Sequence, residues 1–244
     1  MKLIMAETLL TIREAAKRLC VSIDTLRRWD RSGKLVAVRK PGGVHRFYQA
    51  SDLDIFTNDL AALAYNWAVA GGAVVPDYYC SNSGQFQARL NRLQHDVQTS
   101  NGFDSSLVAL IIGIAGEIGN NSFDHNLGKW PGMPGTFFAH DGFRRFVVLA
   151  DRGIGILASL QRVRPSLSTS RDALFVAFSE VISGRSPEAR GNGLKFVRQA
   201  VIQNPFSLVF QSGDTQLQLK QGDTKLQLTK TAKVVPGCYA LIYY

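Results

Sequence analysis

Gly116-Glu-Ile-Gly-Asn-Asn-Ser-Phe-Asp-His-Asn126 is the stretch whose reading decides the fold. It follows an apolar run, Leu107 to Ala115, and together they predict one helix. Glu117, Asn121 and His125 are spaced i, i+4, i+8, and at about 3.6 residues per turn they share one face. A carboxylate, a carboxamide and an imidazole in line follow an apolar first half. Such groups are rarely buried without partners. The line therefore marks either a solvated helix end or a site.

Two later stretches bear on that choice. Phe146-Val-Val-Leu-Ala-Asp-Arg-Gly-Ile-Gly-Ile156 reads as an apolar strand running into an Asp and a glycine turn. Glu188-Ala-Arg-Gly-Asn-Gly-Leu-Lys-Phe-Val-Arg-Gln-Ala-Val201 reads as a glycine loop opening a helix. Free N–H groups and the positive dipole end make such a start an anion site. Glycine turns occur in every fold. A helix, a strand–turn and a loop–helix in this order are far more specific.

These residues together resemble the GHKL ATP-binding fold shared by gyrase, MutL and histidine kinases. The family's first box, E-x-x-x-N-A-x-x-H, corresponds to Glu117, Asn121 and His125, with Ser122 in place of the alanine. The second, D-x-G-x-G-I, is met by Asp151, Gly153, Gly155 and Ile156. The third, G-x-G-L, is met by Gly191, Gly193 and Leu194, in a loop shorter than is usual. The similarity covers roughly Ser105 to Tyr244. It implies a two-layer α/β sandwich with a mixed sheet, with ATP and Mg²⁺ as cofactors. By resemblance, Asn121 would coordinate the Mg²⁺ that bridges the phosphates. Asp151 would hydrogen-bond the adenine amino group. Glu117 would orient or deprotonate an attacking water or hydroxyl, and His125 or Lys129 would touch a phosphate. Arg185 and Arg190 fall where the family carries a nucleotide lid and are candidates for the phosphates, or are solvated loop charges.

The first quarter of the chain reads differently. Leu10, Ile12, Ala15, Ala16 and Leu19 lie at helical spacing, with Thr11 and Glu14 as a capping box. Cys20-Val21 is a turn, Ser22 caps a second helix from Ile23 to Arg31, and Gly33 ends it. Ile23 and Leu26 are expected to face inward, leaving Thr25, Arg27, Arg28 and Arg31 outward. Leu35 to Tyr48 predicts two short strands around a glycine turn, a basic wing. Two short helices with a tight turn, the second one basic, are the helix-turn-helix pattern. The segment closely resembles the winged helix-turn-helix of MerR and excisionase proteins. It does so through Thr11-Ile-Arg-Glu-Ala-Ala, Thr25-Leu-Arg-Arg-Trp and Pro41-Gly-Gly-Val-His-Arg-Phe-Tyr48. The resemblance implies double-stranded DNA as a partner, with the second helix in the major groove and the wing along the backbone. Thr25, Arg27, Arg28, Arg39, Lys40, His45, Arg46 and Tyr48 are the contact candidates. Long basic side chains neutralise phosphates, and an Arg can fork onto guanine. Trp29 is expected in the small core.

Charge agrees with this division. Of 28 Lys and Arg against 19 Asp and Glu, 11 against 6 fall within Met1 to Asn58, which leaves +5 there and +4 in the remainder. Cys20, Cys80 and Cys238 are odd in number and far apart, which predicts reduced thiols in a cytoplasmic protein. Neither a membrane-spanning run nor a signal peptide is read from the pattern.

The expected fold class is α+β in three parts. Residues 1–58 are the winged helix-turn-helix, 59–104 a helical connecting region and 105–244 the ATP-binding domain. Within the connecting region Leu60 to Val69 looks helical up to Gly71-Gly72. Gln85 to Thr99 is amphipathic, with Phe86, Leu90, Leu93 and Val97 set to pack on their own domain, or at a dimer seam. Asp141-Gly142 predicts a tight hairpin. Gly213-Asp-Thr-Gln-Leu-Gln-Leu-Lys220 is nearly repeated as Gly222-Asp-Thr-Lys-Leu-Gln-Leu-Thr229, both read as alternating strands. The whole reads as a DNA-binding regulator whose state depends on bound ATP, by default a homodimer. The alternative is a GHKL-type serine or histidine kinase acting on a partner protein.

Overall fold

Thr11 sets the start of the N-terminal unit. It closes β1 (Leu9–Thr11) and caps α1 (Ile12–Leu19). Its N–H donates to Glu14 Oε2 at 2.7 Å and its hydroxyl accepts from the Glu14 N–H at 3.3 Å, the expected capping box. Cys20 takes a left-handed conformation at the turn (φ 54°). Ser22 then caps α2 (Ile23–Arg31), accepting from the Thr25 N–H at 3.0 Å. The wing returns through β2 (Phe47–Gln49), antiparallel to β1 with Leu10 opposite Tyr48. The predicted pair of wing strands is reduced to one bridge, Val38 to Phe47, above a turn closed by Gly43 N–H on the Lys40 carbonyl. Ala15, Leu19, Leu26, Trp29, Leu35 and Tyr48 are buried.

In this computed structural model residues 9–72, 74, 76–99, 103–126, 128–180 and 193–244 are described. Their contacts separate Met1–Leu63 from Ala64–Tyr244. The boundary falls within α3 (Ala50–Ala70), one unbroken helix that stops where Gly71 and Gly72 turn to positive φ.

The larger unit is a five-stranded sheet with helices packed against it. After Pro76–Tyr78, one turn of 3-10 helix, come β3 (Tyr79–Cys80), α4 (Ser83–Gln98) and α5 (Ser105–Asn126). The hairpin β4 (Thr136–Asp141) and β5 (Phe146–Asp151) follows. Then come α6 (Gly155–Gln161), α7 (Ser170–Ser179), α8 (Gly193–Gln203) and the long hairpin β6 (Ser207–Lys220) and β7 (Gln227–Tyr243). The strand order is β3-β4-β5-β7-β6. The expectation of a mixed sheet is corrected: every pairing among the described residues is antiparallel. Hairpins can pair in no other way, and two of the four neighbours are hairpins. The tight Asp141-Gly142 hairpin is also corrected. Asp141 Oδ1 accepts from the Phe143 and Arg144 N–H groups, and the left-handed residue is Arg145 (φ 56°).

One sheet face carries Phe138, Val147, Leu149, Leu208, Phe210, Ala240 and Ile242 into the main core. Phe86, Leu90, Leu93 and Val97 of α4 are buried in that core, so the apolar seam is used within the unit. α4 and α5 approach closely at small residues, since a Cβ on Gly119 would lie 2.1 Å from the Phe86 ring. α5 is long and apolar enough to cross a membrane. Its Val108, Ile111, Ile114 and Ile118 are buried in this core. On the opposite sheet face, Tyr65 and Trp67 from the end of α3 meet Tyr239 and Phe137 at ring distances of 5.2 and 6.3 Å.

Candidate functional site

The second half of α5 runs past the end of β5. A pocket there is lined by Asn121, Ser122, His125 and Asn126 of α5, by Asp151 and Ile154 to Ile156 of the glycine turn, and by Ser159, Leu194, Phe210 and Cys238. The sequence stretches thus meet around one cavity. Asp151 forms part of its lining and is 1% exposed. Its Oδ1 accepts from the Gly153 N–H and its Oδ2 from the Ser122 hydroxyl, each at 2.8 Å. Burial pushes the Asp151 carboxyl above its ordinary range, against the pull of Gly153, Ser122 and the Cys238 thiol. Burial, and then the Asp151 charge, push the Cys238 thiol well up in turn. Burial and the neighbouring charge thus disfavour the thiolate, the nucleophilic form.

Each glycine of the turn has a steric reason. A Cβ on Gly153 would overlap the Asn126 amide, and one on Gly155, already at φ 75°, would come within 2.6 Å of the Pro236 carbonyl. Asn126 fills the space left open, donating to the Ser122 carbonyl at 2.7 Å and accepting from the Ile154 N–H at 2.8 Å. The neighbouring Arg152 turns away from the pocket, and its Nη1 donates to the Trp67 and Ala68 carbonyls at 2.9 and 2.8 Å. It thereby satisfies carbonyls in the last turn of α3.

At the other end of the pocket Gly193 opens α8. A Cβ there would lie 2.2 Å from Glu117 Oε2 and 3.7 Å from Asn121 Nδ2. Glu117 is exposed and Asn121, which lines the pocket, half-buried, and both lie beside the N-terminus of α8. His125 shares a hydrogen bond with Ser159 Oγ through Nδ1 at 2.8 Å. Arg185, Arg190 and Gly191 lie outside the described residues. Asn126, Ser159, Ser212 and Cys238 were missed in the sequence. Ser212 accepts from the Ile156 N–H at 3.0 Å, and no spacing links it to the motifs.

In the N-terminal unit Arg27, Arg28, Arg39, Lys40 and His45 are exposed. Two expected DNA contacts are corrected. Thr25 is 3% exposed, and its Oγ1 accepts from the Ser22 hydroxyl and from Arg28 Nη2. Tyr48 is fully buried, and its hydroxyl donates to the Leu26 carbonyl at 3.2 Å. Both face the core because the β1–β2 pairing and the cap of α2 turn them inward. Asp30, which drew no attention in the sequence, organises the wing. Its Oδ2 accepts from Arg39 at 2.6 Å and Arg46 at 2.7 Å, and its Oδ1 from the Ala37 N–H at 2.9 Å. Burial opposes the Asp30 charge, but those three donors outweigh it and hold the carboxyl below its ordinary range. Lys40 lies over the Phe47 ring at 4.9 Å.

This geometry, a capped helix pair with an exposed basic face and a short pinned wing, defines a helix-turn-helix DNA-binding domain. Residues 11–48 match the MerR family regulatory protein model, the mark of a transcription regulator. No curated protein matches the chain.

Proposed function

We propose that the larger unit binds Mg-ATP and that its occupancy controls DNA binding by the MerR-like domain. The observation that carries this reading is the convergence on one cavity of Asn121, Asp151 and Leu194, from stretches far apart in sequence. Apolar walls of Ile118, Ile154, Ile156 and Phe210 around a buried carboxylate suit a flat base that carries an amino donor. The mouth, with Asn121 and the start of α8, suits phosphates. Asn121 would hold Mg²⁺, which supplies charge neutralisation at the phosphates. The open volume at the centre is about 30 Å³. One water needs about 10–15 Å³ of such space, so there is room for two or three waters and nucleotide entry requires the lining to move apart.

The route inferred for such control would run through Arg152 and α3. Arg152 joins the turn that carries Asp151 to the end of α3, the helix that begins directly after the wing strand β2. A ligand shifts a conformational equilibrium only by its differential affinity for the two states. The test is titration of the full chain with Mg-ATP, followed by operator affinity at saturating and zero nucleotide. Equal operator affinity in both conditions would sink the regulatory reading.

Glu117 is exposed beside the start of α8, which favours a second reading in which it serves as base for the hydroxyl of a partner protein. Labelled phosphate appearing on a partner rather than in solution separates transfer from hydrolysis.

A further inference from the structure

A second cavity of the larger unit shares no lining residue with the pocket beside Asp151. It is an open groove of about 480 Å³ between α7, α8 and the turn that joins β6 to β7. Small-molecule sites run from about 300 to 1,000 Å³, so the groove is of that size. Its walls are tied together. Arg171 Nη1 donates to the Leu228 carbonyl at 2.7 Å and joins α7 to the start of β7. Gly222 N–H donates to the Ile202 carbonyl at 2.9 Å and joins the turn to α8. Lys220 N–H donates to Asp223 Oδ2 at 2.9 Å and closes the turn itself.

The lining is apolar and positively charged at once. Arg171, Phe175 and Ser179 lie at i, i+4 and i+8 of α7, on one face of the helix. Phe175 is 51% exposed, although it is a large aromatic side chain. From the hairpin, Leu226 and Leu228 are half-buried and pack against the main core. The charges are three cations, Arg171, Arg198 and Lys225, against one acid, Asp172. That acid is taken up in capping α7. Its Oδ2 accepts from the Thr169 hydroxyl at 2.6 Å, and its N–H donates to Thr169 Oγ1 at 3.1 Å. Arg198 Nε is shut from solvent and has no acceptor among the described residues. Cations beside an apolar surface suit an anion with an apolar body, and a guanidinium matches a carboxylate through two parallel hydrogen bonds. We propose that this groove binds a small organic acid, a carboxylate on an aryl or branched alkyl body. Arg198 and Lys225 take the carboxylate, and Phe175 and Leu226 take the body. Arg171 adds its charge while it holds the wall.

The experiment titrates the full chain with hydrocinnamate, its amide and propionate, followed by ligand-observed NMR. The amide keeps the ring without the charge, and propionate keeps the charge without the ring. Wild type is expected to bind hydrocinnamate about tenfold or more tightly than either. Arg198→Gln is expected to lose the preference over the amide, and Phe175→Ala the preference over propionate. A thermal melt of each checks folding, and Lys225→Gln, at an exposed position of the turn, gives a second reading of the charge. Lys230→Ala, outside the groove, is expected to bind as wild type does. Wild type that binds no hydrocinnamate, or binds the three probes equally, overturns the proposal. Folded Arg198→Gln and Phe175→Ala proteins that keep the wild-type preferences place the acid elsewhere and overturn it too. Neither result bears on Mg-ATP, which is read at the other pocket.

Discussion

A Cβ placed on Gly153 would lie 2.1 Å from Nδ2 of Asn126. The Asn126 side chain, in turn, bridges α5 to the turn through the Ser122 carbonyl and the Ile154 N–H. Neither can change alone. Gly153→Ala forces the amide out of a buried site and is expected to cost about 1–3 kcal/mol, as overpacking does. Asn126→Ala leaves the half-buried Ile154 N–H without its acceptor and is expected to cost a similar ~1–3 kcal/mol. Denaturant unfolding of the two variants checks both.

Gly193 is the contrasting case. The atom that a Cβ there would meet belongs to the exposed Glu117 carboxylate, which can swing aside. Gly193→Ala is therefore expected to melt within a few degrees of wild type, yet to bind Mg-ATP about tenfold or more weakly, because the start of α8 is blocked. Glu117→Gln is expected to retain binding and lose turnover. Calorimetry beside a phosphate-release assay separates the two variants.

Asp30 gives the N-terminal unit an acid-sensitive joint. Its folded pKa lies below the unfolded value. The stability it contributes is thus fully present above the unfolded pKa, near 3.9, and is lost as pH falls through the lower folded value. Wild type should lose melting temperature steeply below about pH 4, and Asp30→Asn should start lower and decline less. Melting curves from pH 3 to 7 test this.

Tyr48→Phe removes the hydrogen bond to the Leu26 carbonyl and should cost about 1 kcal/mol with DNA affinity unchanged. Arg28→Ala and Lys40→Ala should weaken DNA binding and each reduce the salt dependence by about one phosphate equivalent. Fluorescence anisotropy across a salt series reads all three.

Arg152→Ala tests the route from pocket to helix. Loss of its bonds to the Trp67 and Ala68 carbonyls should leave Mg-ATP affinity within about threefold, because Arg152 turns away from the pocket. The response of operator affinity to nucleotide should shrink. An undiminished response would mean that another path carries the signal.

The pocket was legible where geometry follows from spacing. Glu117, Asn121 and His125 had to share a face if α5 formed at all, and the Asp151 turn announced itself by its glycines. What was not legible depends on tertiary partners. Asn126, Ser159, Ser212 and Cys238 enter the site only because α5, α6, β6 and β7 are brought together. Tyr48 and Thr25 looked like outward residues of a basic surface. A three-residue strand, β1, too short to be read from periodicity, pairs with β2 and turns Tyr48 inward. Asp30 was passed over because a lone acid in a basic helix carries no signal until the wing folds back on it.

The near-repeat in the last hairpin has a consequence for folding fidelity. β6 and β7 pair Leu217 with Leu228 and Gln218 with Gln227, so the alternating Gln and Leu of β6 meet the Gln227-Leu228 start of β7. A slip of two residues would keep every leucine on its own face, and alternation therefore does little to oppose it. The register is pinned where it breaks: the pairing shifts on both sides of Gly213, which sits at φ 63° with Ser170 Oγ 2.1 Å from where its Cβ would be. One bulge, closed against the first residue of α7, thus fixes the alignment of the hairpin.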